Sequence, residues 1–426
     1  MGMRKKVNNV NMRSAMLNPM LLRAATYLFI AGAAARIVLV ALLSPHYVDF
    51  HCFVDAADAV YRGEDPFQRE NLTRTKWEIA PLVYPGLTPF FMPFVPMGSE
   101  TGEVVFLILN VIAGLTYYGL VVRASGLCSR FCLRAPDVQT LLVCLGVFLY
   151  VNSIFFTLCI RVGQISFWAA LCFGLSLTAA TVWSRGTFFG LAAVFKYSNI
   201  PILALLLLSR KQIWVCATGF VVFLVVSLIP CLFGISAIQL YTSYLQVLRA
   251  WMEPGGGNSF AHSGQTILSL DFLRVDWIRY CVAVALVAAF VLAVRRARLQ
   301  VMNSMNVYLL FALVCLVLHL VYHRIYDGVL MYPVLLVACV RLIHQRKRSL
   351  AVVAAGFICA FALPGAVWEA VARRLGGIIG ENAIVYLPQD TFPLAAVTMF
   401  LLTVFALYVS IAVGGESTVP KNSRLD

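Results

Sequence analysis

The sequence predicts an all-α polytopic membrane protein, and three observations predict it. Of 426 residues, 61% are hydrophobic and 12% are charged, whereas a soluble domain is about half apolar and about a quarter charged. A soluble fold could not cover itself with so few charges. The apolar residues come in runs close to the roughly 20 residues that a helix needs to cross a bilayer. The basic residues fall between the runs, in the clusters Arg123/Arg130/Arg134, Arg210/Lys211, Arg295/Arg296/Arg298 and Arg346/Lys347/Arg348, the pattern by which cytoplasmic loops hold a helix orientation.

In chain order the spans are expected near 22–44, 103–123, 139–159, 165–183, 213–234, 278–294, 306–320, 329–341, 350–368 and 393–413. The basic N-terminus precedes an apolar run too long for a signal-peptide core, so this run reads as an uncleaved first span. With the N-terminus inside, the four basic clusters and the C-terminal Lys421 and Arg424 all fall on the cytoplasmic side. The bundle is expected to hold about 10–12 membrane-spanning helices. No polar or Gly/Pro-rich linker divides it, so residues 1–426 read as one domain with cytoplasmic tails at 1–21 and 414–426.

One segment resists a simple crossing. Residues 187–208 are long enough to span, yet Arg185 and Arg210/Lys211 at its two ends both belong on the cytoplasmic side. A broken hairpin resolves the conflict, with Lys196, Asn199 and Pro201 at its middle; irregular backbone and charge are tolerated at that depth only inside protein or against a wet cavity. The apolar, proline-punctuated stretch 87–97 reads as a similar re-entrant or interfacial piece. The outer-side segments are then about 45–86, 160–164, 235–277, 321–327 and 369–392.

The formal charge of +14 does not point to nucleic acid, because no element alternates aromatic and basic residues. The twelve cysteines lie mostly inside apolar runs, and the Cys128/Cys132 pair has no histidine nearby, which argues against a zinc site or disulfide framework. No Asp-x-Asp occurs in the first outer segment, so no cofactor is expected and dependence on a divalent metal has no support in the sequence.

Chemistry-bearing residues gather on the outer side. The first outer segment holds Asp49, Asp55, Asp58, Glu64 and Asp65. Asp49 follows the first span by about five residues, where a lipid-borne phosphate and a water-borne acceptor can both reach it. A general base must lie within hydrogen-bond reach of the hydroxyl it deprotonates, and partial burial raises a carboxylate's pKa toward that task. Asp55 and Asp58 would share one face of a short helix over 53–62, in a structural or acceptor-binding role. Lys196 costs about 2.5–3.5 kcal/mol at a helix centre and calls for an anionic partner or an aqueous path; contact with a lipid phosphate or sugar hydroxyls and snorkelling to an interface are both open readings. His323 and Arg324 share a short outer loop, and arginine's planar fork suits phosphate oxygens; the competing reading pairs Arg324 with Asp327. Gln164, His262 and Gln265 are placed to meet sugar hydroxyls.

These residues carry a family resemblance. Asp49-Phe50-x-x-Phe53, Ala56-Ala57 and Gly63-x-Asp65-Pro66-Phe67, then Tyr84-Pro85, Gly163-Gln164, Gly190-Leu191-Ala192-Ala193 before Lys196, and His323-Arg324-x-Tyr326-Asp327 resemble, in order, the bacterial polyprenyl-phosphate-mannose-dependent α-mannosyltransferases. These are multispanning glycosyltransferases of the GT-C type, GT87-like in character. Gly86 departs from the pattern, which often carries a second proline there. The resemblance implies a GT-C-like bundle in the bacterial inner membrane, a polyprenyl-phosphate sugar donor, a lipid-linked or cell-envelope glycan acceptor, and an essential first-loop aspartate, Asp49. Read with the same reaction in view, His323, Arg324 and Lys196 are candidates for the donor phosphate, and Asp55, Asp58, Tyr84, Gln164, His262, Gln265 and Asp327 for the sugar or acceptor. The competing class is a transporter or flippase of a lipid-linked sugar, without chemistry. Such proteins gather polar residues at the midplane between repeated halves, whereas here polarity gathers on one side and no repeat is seen.

Overall fold

The computed structural model describes residues 18–43, 48–73, 83–127, 133, 136–196, 212–252, 276–297, 307–320, 325–362, 404–406 and 408–409, and among them every regular element is helical. The principal helices are α1 (Pro19–Leu43), α2 (Val48–Tyr61), α3 (Ser99–Ala124), α4 (Val138–Asn152), α5 (Ile154–Val162), α6 (Ser166–Thr178), α7 (Val182–Phe195), α8 (Ile213–Leu228), α9 (Ala237–Met252), α10 (Asp276–Ala297), α11 (Val307–Leu320), α12 (Tyr332–His344) and α13 (Arg348–Ala362). Each apolar run coincides with one of these helices except 393–413, which falls almost wholly outside the described residues.

Among the described residues, Pro19–Leu42, Ser99–Ala124, Ile213–Phe233 and Asp327–His344 are long and apolar enough to cross a membrane, and α4 and α5 form one broken span bent by 51°. Not every apolar run is helical to its end. The expected span 165–183, for example, stops at Thr178, where the backbone turns extended at Ala179. Ser176 then hydrogen-bonds the Arg185 carbonyl at 2.9 Å, closing the corner into α7. Leu28, Leu42, Ile108, Ile112, Val221 and Val225 are exposed, as lipid-facing positions are. The protein is an all-α polytopic membrane protein.

Helices α7 and α8 run side by side in the same direction. Trp183 lies 6.2 Å from Trp214, ring to ring, at their starts. Further along, a Cβ added at Gly186 would meet Thr218, and one added at Gly190 would sit 2.5 Å from the Gly219 carbonyl oxygen. Small residues let membrane helices approach this closely. The starts of α7 and α8 therefore share one face, as the expected hairpin requires; residues 197–211 lie outside the described chain. Gly190→Ala should cost about 1–3 kcal/mol through overpacking and lower the melting temperature of the detergent-solubilised protein. Gly119→Ala, where an added Cβ meets nothing within 4 Å, should leave it unchanged, and equal melting of the two variants would refute the close-approach account.

The first outer segment is packed, not a solvated loop. The helix expected over 53–62 begins at Val48 and takes in Asp49, whose negative charge suits the first turn. Phe50 and Phe53 bury one face of α2 against Phe106 and Phe91, with ring centroids 4.9 and 4.8 Å apart. His51 adds a polar tie to Glu103 of α3 at 2.9 Å. The stretch 85–97 is a series of short helical turns, and its Phe90 reaches Phe195 at the end of α7, 4.6 Å away. Asp65 closes the segment: its carboxylate accepts from Phe67 N at 2.9 Å and from Ser243 Oγ of α9 at 2.6 Å.

At the opposite end of α3, Arg341 of α12 donates to the Ser125 carbonyl. The basic residues Arg123 and Arg346 to Arg348 thus share one end of the bundle, away from α2.

Candidate active site

Asp49 is half-buried in the first turn of α2, and its Oδ2 accepts a hydrogen bond from Gln164 Nε2. The local chain geometry delivers that amide. Helix α5 ends in a Schellman motif: Gln164 N donates to Cys159 O at 3.0 Å and Gly163 N to Ile160 O at 3.2 Å, with Gly163 left-handed at φ 70°. Glycine takes that conformation without the Cβ clash other residues suffer. The Gln164 carbonyl oxygen is held in turn by Asn110 Nδ2 of α3 at 3.1 Å. An ionised carboxylate only accepts, so the amide must present its NH2 to Asp49; its Oε1 is left buried and without a hydrogen bond.

A second polar group lies close by. Lys196 closes the C-terminus of α7, and its Nζ is 3.1 Å from Asp327 Oδ1. The same oxygen accepts from Ser166 Oγ at the start of α6. Asp327 is 2% exposed and sits in the turn Ile325–Leu330 that precedes α12. That turn is fixed by Tyr117 of α3, whose hydroxyl donates to the Leu330 carbonyl at 2.6 Å. Gln164 and Ser166 are two residues apart at the junction of α5 and α6, which joins the Asp49–Gln164 pair to the group of Lys196, Asp327 and Ser166. Residues from four separate stretches, Asp49, Gln164, Lys196 and Asp327, thus surround one helix end.

The anionic partner that an intramembrane lysine requires is Asp327. Asp327 Oδ1 is shared by Lys196 and Ser166; the alternative pairing of Asp327 with Arg324 falls on a residue outside those described. Asp58 is drawn into a surface network instead of the centre: Arg62 bonds Asp58, Glu64 at 3.0 Å and the Asn71 carbonyl at 2.6 Å. Asp55 is buried at 1% exposure, on the side of α2 that packs inward. Tyr84 stacks on Phe223, 5.5 Å between rings, and its hydroxyl lies 2.7 Å from Ser227 Oγ; burial pushes that hydroxyl well above its usual pKa, so it serves as a neutral hydrogen-bonding group. His262, Gln265, His323 and Arg324 lie outside the described residues.

Two contributors were not foreseen. Ser166 is signalled only by being polar at the head of an apolar run, and Asn110 only by being an amide inside an apolar helix, which is itself a mark of function or packing. Among the described residues no three His, Cys, Asp or Glu side chains gather as a metal site would need.

A helical membrane protein that recesses a carboxylate and an ion pair at one helix end has a polar centre inside its apolar bundle. The sequence model of glycosyltransferase family 87 matches residues 84–320, more than half of the chain, and the protein belongs to that family: it is a membrane glycosyltransferase. The match contains Asn110, Gln164, Ser166 and Lys196, while Asp49 and Asp327 flank it. No curated protein and no solved structure matches the chain.

Proposed function

We propose that the protein transfers a sugar, mannose by its resemblance, from a polyprenyl-phosphate donor to a lipid-linked or cell-envelope glycan acceptor on the outer side of the bacterial inner membrane. The observation that carries this reading is the Asp49–Gln164 pair: a half-exposed carboxylate oriented by a buried amide. In the proposed displacement the acceptor oxygen bonds to the anomeric carbon as the bond from that carbon to the phosphate oxygen breaks. The acceptor proton passes to Asp49, and the phosphate leaves with the bonding electrons on its lipid. Lys196, held by Asp327, is assigned to the phosphate side, with His323 and Arg324; positive charge placed where the leaving anion develops lowers the barrier. Gln164 is assigned to Asp49 and to a substrate hydroxyl.

The test is a transfer assay. Membranes containing the protein, given radiolabelled polyprenyl-phosphate mannose and envelope glycolipid, should yield labelled product; label that stays on the donor, with every polyprenyl-phosphate sugar tried, would refute the proposal. Sidedness needs its own probe. Cys52 is buried and a poor reporter, whereas Tyr61 and Trp183 are each 63% exposed. In a cysteine-free background, Tyr61→Cys should react with an impermeant maleimide from outside and Trp183→Cys only after the membrane is opened. The reverse pattern would put the site in the cytoplasm.

A further inference from the structure

Two guanidinium groups sit where the glycosyl-transfer reading has not used them. Arg36 lies inside α1, seven residues and so about 10 Å of helix rise before Leu43. Its Nη2 reaches Thr157 Oγ1 of α5 at 3.4 Å, and its Nε is buried without a hydrogen bond. Arg161 follows Thr157 by four residues on α5, so the two share a face, one turn apart; Arg161 is exposed. Among the described residues, no ion pair engages either arginine. A membrane does not hold the charge of Arg36 without cost, and arginines at such depth mark a counter-ion, a substrate path or a wet cavity; Arg161 stands beside it in the last turn of α5.

The position says which anion fits. Helix α1 turns Leu28, Val38, Leu39 and Leu42 to the outside, an apolar track for a hydrocarbon chain. Arg36 can extend toward the interface as long cationic side chains do, and Arg161 lies one turn nearer to Gly163 and Gln164, the residues that lead to Asp49. Paired guanidinium forks match phosphate oxygens. We propose that Arg36 and Arg161 form a binding site for the phosphate of a lipid whose tail lies along α1, so that a lipid-borne substrate slides laterally toward Asp49. The destination rests on the function proposed above; the phosphate site does not.

The experiment measures binding, without turnover. Purified full-length protein in phosphatidylcholine nanodiscs is titrated with polyprenyl monophosphate, with the corresponding polyprenyl alcohol, with phosphatidylglycerol and with inorganic phosphate. Arg161→Gln and Arg36→Gln should each weaken polyprenyl monophosphate binding about tenfold, the usual scale of one charge-assisted hydrogen bond. Arg36→Lys should retain part of it, and the weak binding of the alcohol should not change. Displacement by phosphatidylglycerol, with the same arginine dependence, would identify phospholipid headgroups as ligands too; displacement by polyprenyl phosphates alone would confine the site to them. Wild-type affinity of Arg161→Gln, or of the double variant, for both lipids would overturn the proposal. Arg161 is exposed, so its variant tests the site even where Arg36→Gln fails to fold. Arginine-dependent binding in a protein that transfers no sugar would sink the proposed reaction and leave this site standing.

Discussion

Asp327→Asn is expected to destabilise the protein by about 3–5 kcal/mol, the cost of stripping one partner from a buried ion pair. Asp327 has 3% and Lys196 17% of side-chain surface exposed, so neither charge is well hydrated. Asparagine keeps the shape and can still accept from Ser166, yet it removes the carboxylate that pairs with the Lys196 ammonium at 3.1 Å. Lys196→Met should cost a similar amount by taking the paired ammonium from the buried carboxylate, so loss of donor use in that variant must be read against its folding. The double change Lys196→Met with Asp327→Leu removes both charges and should recover much of the stability, because an apolar replacement for a buried pair is often neutral. Thermal unfolding in one detergent measures all three. A single Asp327→Asn variant within about 1 kcal/mol of wild type would show that water reaches Lys196 freely.

The fold was legible because the bilayer allows few solutions: apolar runs of helical length can only be helices when their backbone must satisfy itself. Their true lengths were less legible, since hydropathy does not register where a carbonyl turns outward, as at Ala179. The site was legible where it broke the apolar pattern. Lys196 and Asp327 are charges placed against apolar runs, Gln164 interrupts two of them, and Asp49 follows the first; each is an anomaly that a sequence displays. What joined them was not legible, because Lys196 and Asp327 meet only through the packing of α7, α6 and the turn before α12. Ser166 and Asn110 escaped notice for a different reason: a lone neutral polar group is common in membrane helices and acquires meaning only from its partner. Asp58 shows the converse, a charge conspicuous in sequence that pairs with Arg62, four residues on at the end of α2.

Asp49→Asn should lower the initial rate of sugar transfer by about 10²- to 10⁴-fold, the usual contribution of a general base. The substitution keeps the side chain's shape and its place in the first turn of α2, and an amide oxygen can still accept from Gln164 Nε2. What it removes is the capacity to take the acceptor's proton as the new bond forms. Donor binding should change little, because the carboxylate acts on the acceptor, so the loss should fall on the rate at saturating donor. Two controls sharpen the result. Asp58→Asn disturbs the surface network with Arg62 and should retain most activity. Gln164→Leu leaves the carboxylate ionisable but removes the amide hydrogen bond to it, and should fall between Asp49→Asn and wild type. Rates are compared at equal amounts of folded protein in membranes, and an Asp49→Asn variant that keeps more than about a tenth of wild-type transfer would remove Asp49 from the role of base.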